Sequence, residues 1–235
     1  MIVDILQIIT NYSKLKSQIM CMKIDSYSYE NIYIYCLKCR KNTDQNTIMQ
    51  QKYSRLRVLN CNKNVKITDV NHLSDTLEEL YCENSGVDQS GISRLKYLKI
   101  FSCNYNEKIN NVNHLSGTLK KLYCGGRHSG VDQRGILCLK NLETLYCKDN
   151  RRINNVDHLG DTLTNLNCSG TSAISQDGIS KLTCLAAINC EDNGNIKNLA
   201  HLTETLRDIF CSGTCAIKFS DFRLCGSKRI IWKCY

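Results

Sequence analysis

The 235-residue chain is 42% hydrophobic, enough for one large or two ordinary cores, and carries a formal charge of +9 from 31 Lys/Arg against 22 Asp/Glu. The excess sits at the ends: residues 1–60 hold nine bases against four acids and residues 216–235 five against one, whereas residues 61–215 hold 17 of each. A surface that tracks a polynucleotide neutralises phosphates along its whole length, so this distribution argues against nucleic acid as a partner, and no run approaches the roughly twenty apolar residues of a bilayer span.

In chain order, Ile2, Ile5, Leu6, Ile8 and Ile9, then Leu15, Ile19 and Met22, fall at near-helical spacing, which predicts one or two short helices over residues 1–30. These helices would cap whatever follows. The stretch does not read as an export signal: Asp4 interrupts it, no basic segment precedes Ile5, and polar Asn11, Ser13 and Lys14 follow. Sixteen cysteines without such a signal point to a reducing, cytoplasmic setting with free thiols.

From residue 31 onward the chain is periodic. Cys39, Cys61, Cys82, Cys103, Cys124, Cys147, Cys168, Cys190, Cys211 and Cys234 recur every 21 to 23 residues. An aliphatic residue stands five positions and another two positions before nearly every one, as in Leu56/Leu59/Cys61 and Leu119/Leu122/Cys124. Arg229 and Trp232 before Cys234 break the frame, as a capping unit would. A longer period overlies the short one. Units beginning at Leu56, Leu98, Leu142 and Leu185 continue with Ile67-x-x-Val70-x-His72-Leu73 and its counterparts ending at Leu115, Leu159 and Leu202. Units beginning at Leu77, Leu119 and Leu163 instead contain Val87-Asp-Gln-Ser-Gly-Ile92, Val131-Asp-Gln-Arg-Gly-Ile136 and Ile174-Ser-Gln-Asp-Gly-Ile179. The building block is therefore a pair of units.

The frame resembles the cysteine-containing leucine-rich repeat, with Cys in place of the third leucine of L-x-x-L-x-L, and with Asn42, Asn64, Asn106, Asn150 and Asn193 at the asparagine position. The resemblance covers residues 31–235 and implies an α/β leucine-rich-repeat solenoid of about ten units. Its parallel sheet would line the concave face, with short helices or turns on the convex face.

The chemically suggestive residues have structural readings. One thiol per unit, flanked by leucine, suits a small buried hydrophobe better than zinc, whose ligands cluster as C-x₂₋₄-C pairs. His72, His114, His158 and His201 recur two whole units apart, which suits a turn cap or neighbour contact better than a metal site. Gly125-Gly126 reads as a turn. No hydrolase elbow, phosphate loop or zincin motif occurs, so neither catalytic residues, a resident metal nor a cofactor is expected, and the chain reads as a non-catalytic scaffold for a protein partner.

Alternation along each strand turns the residues between the inward Leu and Cys toward the concave surface. Glu79, Tyr81, Lys121, Tyr123, Thr144, Tyr146 and Phe210 are the candidate partner-binding residues, because aromatics amid mixed charges favour interfaces. Residues 1–30 also resemble a degenerate F-box followed, as F-boxes often are, by such repeats; the opening Leu-Pro and closing Trp of that motif are absent here. That resemblance implies a substrate receptor of a cullin ubiquitin ligase, contacting the ligase adaptor through Ile5, Leu6, Ile9 and Leu15.

Overall fold

The computed structural model describes residues 22–24, 32–214 and 217. Strand β1 (Met22–Ile24) pairs antiparallel with β2 (Ile32–Ile34), so Met22 lies in a strand rather than at the end of a helix, and the pair straddles the 30/31 boundary. The adaptor candidates Ile5, Leu6, Ile9 and Leu15 lie outside the described residues, as does the unit around Cys234.

Nine three-residue strands follow: β3 (Cys36–Lys38), β4 (Val58–Asn60), β5 (Glu79–Tyr81), β6 (Ile100–Ser102), β7 (Lys121–Tyr123), β8 (Thr144–Tyr146), β9 (Asn165–Asn167), β10 (Ala187–Asn189) and β11 (Asp208–Phe210). They form one parallel sheet in strict chain order, with frame leucines in register, Leu59 opposite Leu80 and Leu122 opposite Leu145. The middle residue of each strand from β4 to β11 is buried, as is the ladder cysteine after it, from Cys61 to Cys211. Cys39 and Leu37, at the start of the sheet, are only partly covered. Between strands the chain makes single 3-10 turns such as Asn71–Leu73 and Arg134–Ile136, each aiming one aliphatic residue inward. The exception is α1 (Gln45–Ile48), whose N-terminus is capped by Asp44 accepting from the Thr47 amide at 2.8 Å. Leu73, Leu115, Leu159 and Leu202 from the turns meet the strand leucines in one continuous core. This is a leucine-rich-repeat solenoid. Among the described residues, no helix is long and apolar enough to cross a membrane.

Three polar ladders join the units. Buried Asn106 donates from Nδ2 to the carbonyls of Cys82 (3.2 Å) and Val87 (3.0 Å) in the preceding unit, while its Oδ1 accepts from the Lys108 amide at 3.0 Å. Asn64, Asn150 and Asn193 repeat this arrangement, whereas Asn42 is exposed and outside the ladder. The four recurrent histidines lie 3.0–3.2 Å from the carbonyls of Ile48, Ile92, Ile136 and Ile179, one unit back. A carbonyl oxygen can only accept, so Nε2 carries the proton. Finally, Gln89 donates to the Asn111 carbonyl at 2.9 Å and accepts from the amides of Asn110 and Asn111 in the next unit. Gln45, Gln133 and Gln176 do the same. Gln45 shows that the first unit is of the glutamine type.

Candidate functional site

Every predicted partner-binding residue lies on a strand at a position flanking the buried aliphatic residue: Glu79 and Tyr81 on β5, Lys121 and Tyr123 on β7, Thr144 and Tyr146 on β8, and Phe210 on β11. Pleating turns them all to one face.

The geometry divides them into two groups. On β5, the Tyr81 hydroxyl donates to Glu79 Oε2 at 2.9 Å; burial, then this carboxylate, pushes the phenol up to about 12. Tyr81 is therefore protonated at any physiological pH. Ser102 on β6, expected on the exposed face, is instead buried, because Glu83 from the preceding loop reaches over it and accepts from its hydroxyl at 2.6 Å. Asn104 Nδ2 donates to the same Glu83 oxygen at 3.0 Å. A small serine thus separates Tyr81 from the second group.

That second group is contiguous. Tyr123 and Tyr146 stand on neighbouring strands with ring centroids 6.1 Å apart and planes tilted by 36°, a favourable aromatic arrangement. Together with Phe210 they border a shallow trough of about 130 Å³ floored by Thr144, Asn165, Asn167, Ala187 and Asn189. The floor carries no charge. Asn167 and Asn189 are fixed by accepting from the amides of Ser169 (3.2 Å) and Glu191 (3.1 Å). Lys121 is exposed at the margin, next in register to Thr144. Burial raises the Tyr146 phenol above its ordinary value, with Tyr105 and Asp149 adding to the effect.

Gly125 and Gly126 support this arrangement. A Cβ at Gly125 would meet the Tyr146 ring, and one at Gly126, where φ is +103°, would fall on the ring of Tyr105. The turn expected at the pair falls one residue later, over Arg127 and His128, closed by the Ser129 amide donating to the Gly126 carbonyl at 3.1 Å, and the glycines themselves leave the space into which two aromatic rings fit. The same left-handed position recurs at Lys63, Asn84, Tyr105, Asp149, Gly170, Asp192 and Gly213, so that from Cys61 to Cys211 it falls two residues after every ladder cysteine. From Asp149 onward Asp and Gly alternate, because each Gly leaves room for the preceding Asp carboxylate. The sequence shows the alternation, but only the stacking explains it.

The ladder thiols have little nucleophilic character. Burial pushes Cys103 and Cys147 up to about 12 and raises Cys61, Cys82 and Cys124 strongly, so these sulfurs are neutral at physiological pH. Among the described residues, no group of three or more His, Cys, Asp or Glu is disposed to hold a metal ion. A second, wider depression of about 450 Å³ opens where the chain enters the strands, between Tyr35, Arg57, Glu78, Tyr97 and Lys99. The trough is thus suited to burying side chains and making amide hydrogen bonds, which is the chemistry of recognition.

No protein-family model matches the chain, and no curated protein matches its sequence. Among solved structures, the fold is similar to the functional domain of InlJ from Listeria monocytogenes, which includes a cysteine ladder (TM-score 0.43, 19% identity, covering 76% of this chain and 49% of that one). It is also similar to internalin C2 (inlC2) from Listeria monocytogenes str. 4b F2365 (TM-score 0.40, 18% identity, 87% of this chain and 80% of that one). The chain spans about half (49%) of the length of the first of these.

Proposed function

We propose that the chain is a non-catalytic scaffold that takes a protein partner on the outward face of its sheet, with Tyr123, Tyr146 and Phe210 as anchors. The observation that carries this reading is the neutral trough bordered by those three rings. Tyrosine and phenylalanine bury large areas while losing few rotatable bonds, and fixed asparagine side chains offer donors and acceptors to a partner backbone. Thr144 belongs to the floor, and Lys121, Glu79 and Tyr81 extend the face toward the N-terminal units as a more polar margin.

The test is affinity capture with quantitative mass spectrometry, comparing the full chain with a variant carrying alanine at Tyr81, Tyr123 and Tyr146. Each tyrosine is half-buried and outside the core, so circular dichroism should be unchanged. A protein retained by the parent chain and depleted at least about tenfold by the variant is the expected result. Equal recovery of every co-purifying protein by both chains removes the sheet face from consideration.

A further inference from the structure

We infer that the loops following β6, β7 and β8 form a second interaction surface, a basic rim that takes an acidic peptide segment of a protein partner.

Because the strands are parallel, their ends make two rims of different electrostatic character. At the rim where the chain enters the strands, opposite charges are paired: Arg57 with Glu78 at 3.3 Å, Lys99 with the same Glu78 at 2.7 Å, Lys120 with Glu143 at 2.8 Å, and Lys96 with Asp75 at 3.6 Å. At the rim where the chain leaves, Lys108, Arg127, Lys148, Arg151 and Arg152 are all exposed. None of the five is within ion-pair distance of a carboxylate among the described residues. The equal count of acids and bases in residues 61–215 conceals this surface. Many of the acids are spent elsewhere, on the entering rim or, like Asp88 and Asp132, accepting from amides at the 3-10 turns.

The platform is rigid. The Gly126 amide donates to the Lys148 carbonyl at 2.7 Å and the Tyr105 amide to the Gly125 carbonyl at 2.9 Å, so the three loops are tied one onto the next. Their roots are held by buried Asn106 and Asn150. Asp149, between Lys148 and Arg151 in the loop after β8, already accepts from the amide and hydroxyl of Thr171 at 2.9 and 3.1 Å. Those bonds, with Lys148 and Arg127 nearby, hold it below the usual carboxylate range. It is occupied, and even with Glu107, exposed beside Lys108 in the loop after β6, the three loops keep an excess of positive charge. Tyr105, half-exposed beside Gly126, adds a ring face.

Size and boundaries select the occupant. Neighbouring strands lie about 4.8 Å apart, so cations from three units span about 10 Å, the length of three or four residues of extended peptide. Beyond that window the rim carries Glu83 on one side, and Glu191 and Asp192 on the other. These carboxylates would repel a phosphate chain continuing along the rim, and nucleic-acid affinity accumulates over many phosphates. A short acidic segment fits inside the boundaries.

The experiment measures fluorescence anisotropy of a labelled hexaglutamate peptide with the full chain at low and at physiological salt. A dodecamer of mixed single-stranded DNA is run in parallel. Binding should weaken with salt, and Arg127→Glu with Arg151→Glu should weaken it at least about tenfold, whereas Lys96→Glu with Lys120→Glu on the entering rim, an equal change in net charge, should alter it less than about twofold. The tyrosine variant that tests the trough should keep its peptide affinity, so the two surfaces stand or fall separately. No peptide binding at low salt overturns the inference. So does equal weakening by both charge-reversal pairs, which would mean attraction by net charge alone. Tighter binding of the DNA than of the peptide, lost in the Arg127/Arg151 variant, overturns it in favour of nucleic acid.

Discussion

The solenoid has two kinds of seam, and they are built differently. Where a glutamine unit is followed by a histidine unit, as from the unit beginning at Leu119 to that beginning at Leu142, side chains bridge in both directions. Gln133 reaches forward to the backbone of Asn154 and Asn155, while His158 reaches back to the Ile136 carbonyl and buried Asn150 to those of Cys124 and Val131. Where a histidine unit is followed by a glutamine unit, as from the unit beginning at Leu98 to that beginning at Leu119, the join combines close backbone approach with bonds from side chains that are not fully buried: Asn104 accepts from the Gly125 amide at 2.7 Å, and Asn141 donates to the carbonyls of Ser116 and Gly117 at 3.3 and 3.1 Å. The Val112 amide donates to the Gly135 carbonyl at 2.9 Å, and a Cβ at Gly135 would collide with the Asn110 carbonyl. Asn113 adds one donated and one accepted bond near the surface. The lesson is that buried side-chain bridges favour one seam over the other, which predicts that the glutamine–histidine pair is the cohesive block and that a linear array opens first at the joins between blocks.

Unequal seams predict unequal penalties. Asn150→Ala should be the most damaging single change, because it orphans two buried carbonyls at about 1–3 kcal/mol each and so costs about 3 kcal/mol. Asn113→Ala, whose bonds lie in partly exposed surroundings, should cost about 1 kcal/mol. Urea unfolding of the two variants checks the ranking, and equal losses would erase the distinction between seams.

Gly135→Ala comes next, at about 2 kcal/mol, since a methyl group must push apart two backbones that nothing flexible separates. Native-state hydrogen exchange should show opening between the units beginning at Leu98 and Leu119 while protection inside the Leu119–Leu142 block persists. Gln133→Ala, by contrast, loses three bonds that water can partly replace and should cost about 1 kcal/mol, with faster exchange at the Asn154 and Asn155 amides. Loss of protection spread evenly over the array in both variants would mean that the blocks do not exist.

The sheet and its core were legible because they follow from spacing alone: a leucine, then another three residues on, then a cysteine acting as a small hydrophobe. The recurrent histidines were legible as neighbour contacts for the same reason. The glutamine type of the first unit was present in Asp44-Gln45-x-x-Ile48 but obscured, because Thr47 stands where Gly91 and Gly135 stand in later units. In the later units those glycines let the preceding histidine unit's backbone approach, a relation that stacking reveals and spacing does not. The burial of Ser102 depends on the reach of Glu83 from another unit, and the unpaired basic rim depends on where the acids sit rather than on their number. Neither relation is periodic, so neither could be read from the frame.

The smallest expected effect concerns pH, and it probes the histidine side of the stronger seam. His72, His114 and His158 are held below the ordinary imidazole value, first because burial of the ring disfavours the charged form. The hydrogen bond to the preceding carbonyl acts in the opposite direction in all three, as does Asp69 beside His72 and Asp157 at His158, so the net shift is downward but moderated. With the folded value depressed, the unfolded chain binds more protons as pH falls through about 6.5. The stabilisation is complete above that point and is lost below it, toward the folded values. Asp44, Asp88 and Asp149 are also lowered, mainly by hydrogen bonds they accept, and act with the same sign. Their window lies below about pH 4, so the two contributions separate. Urea midpoints should therefore fall between about pH 7 and about pH 5 in the parent chain, and fall less in a variant with Gln at all three histidines, since its amide can donate to the same carbonyls without titrating. A parent chain that is more stable at the lower pH, or a triple variant with an unchanged slope, would show that these rings do not couple protonation to the seam.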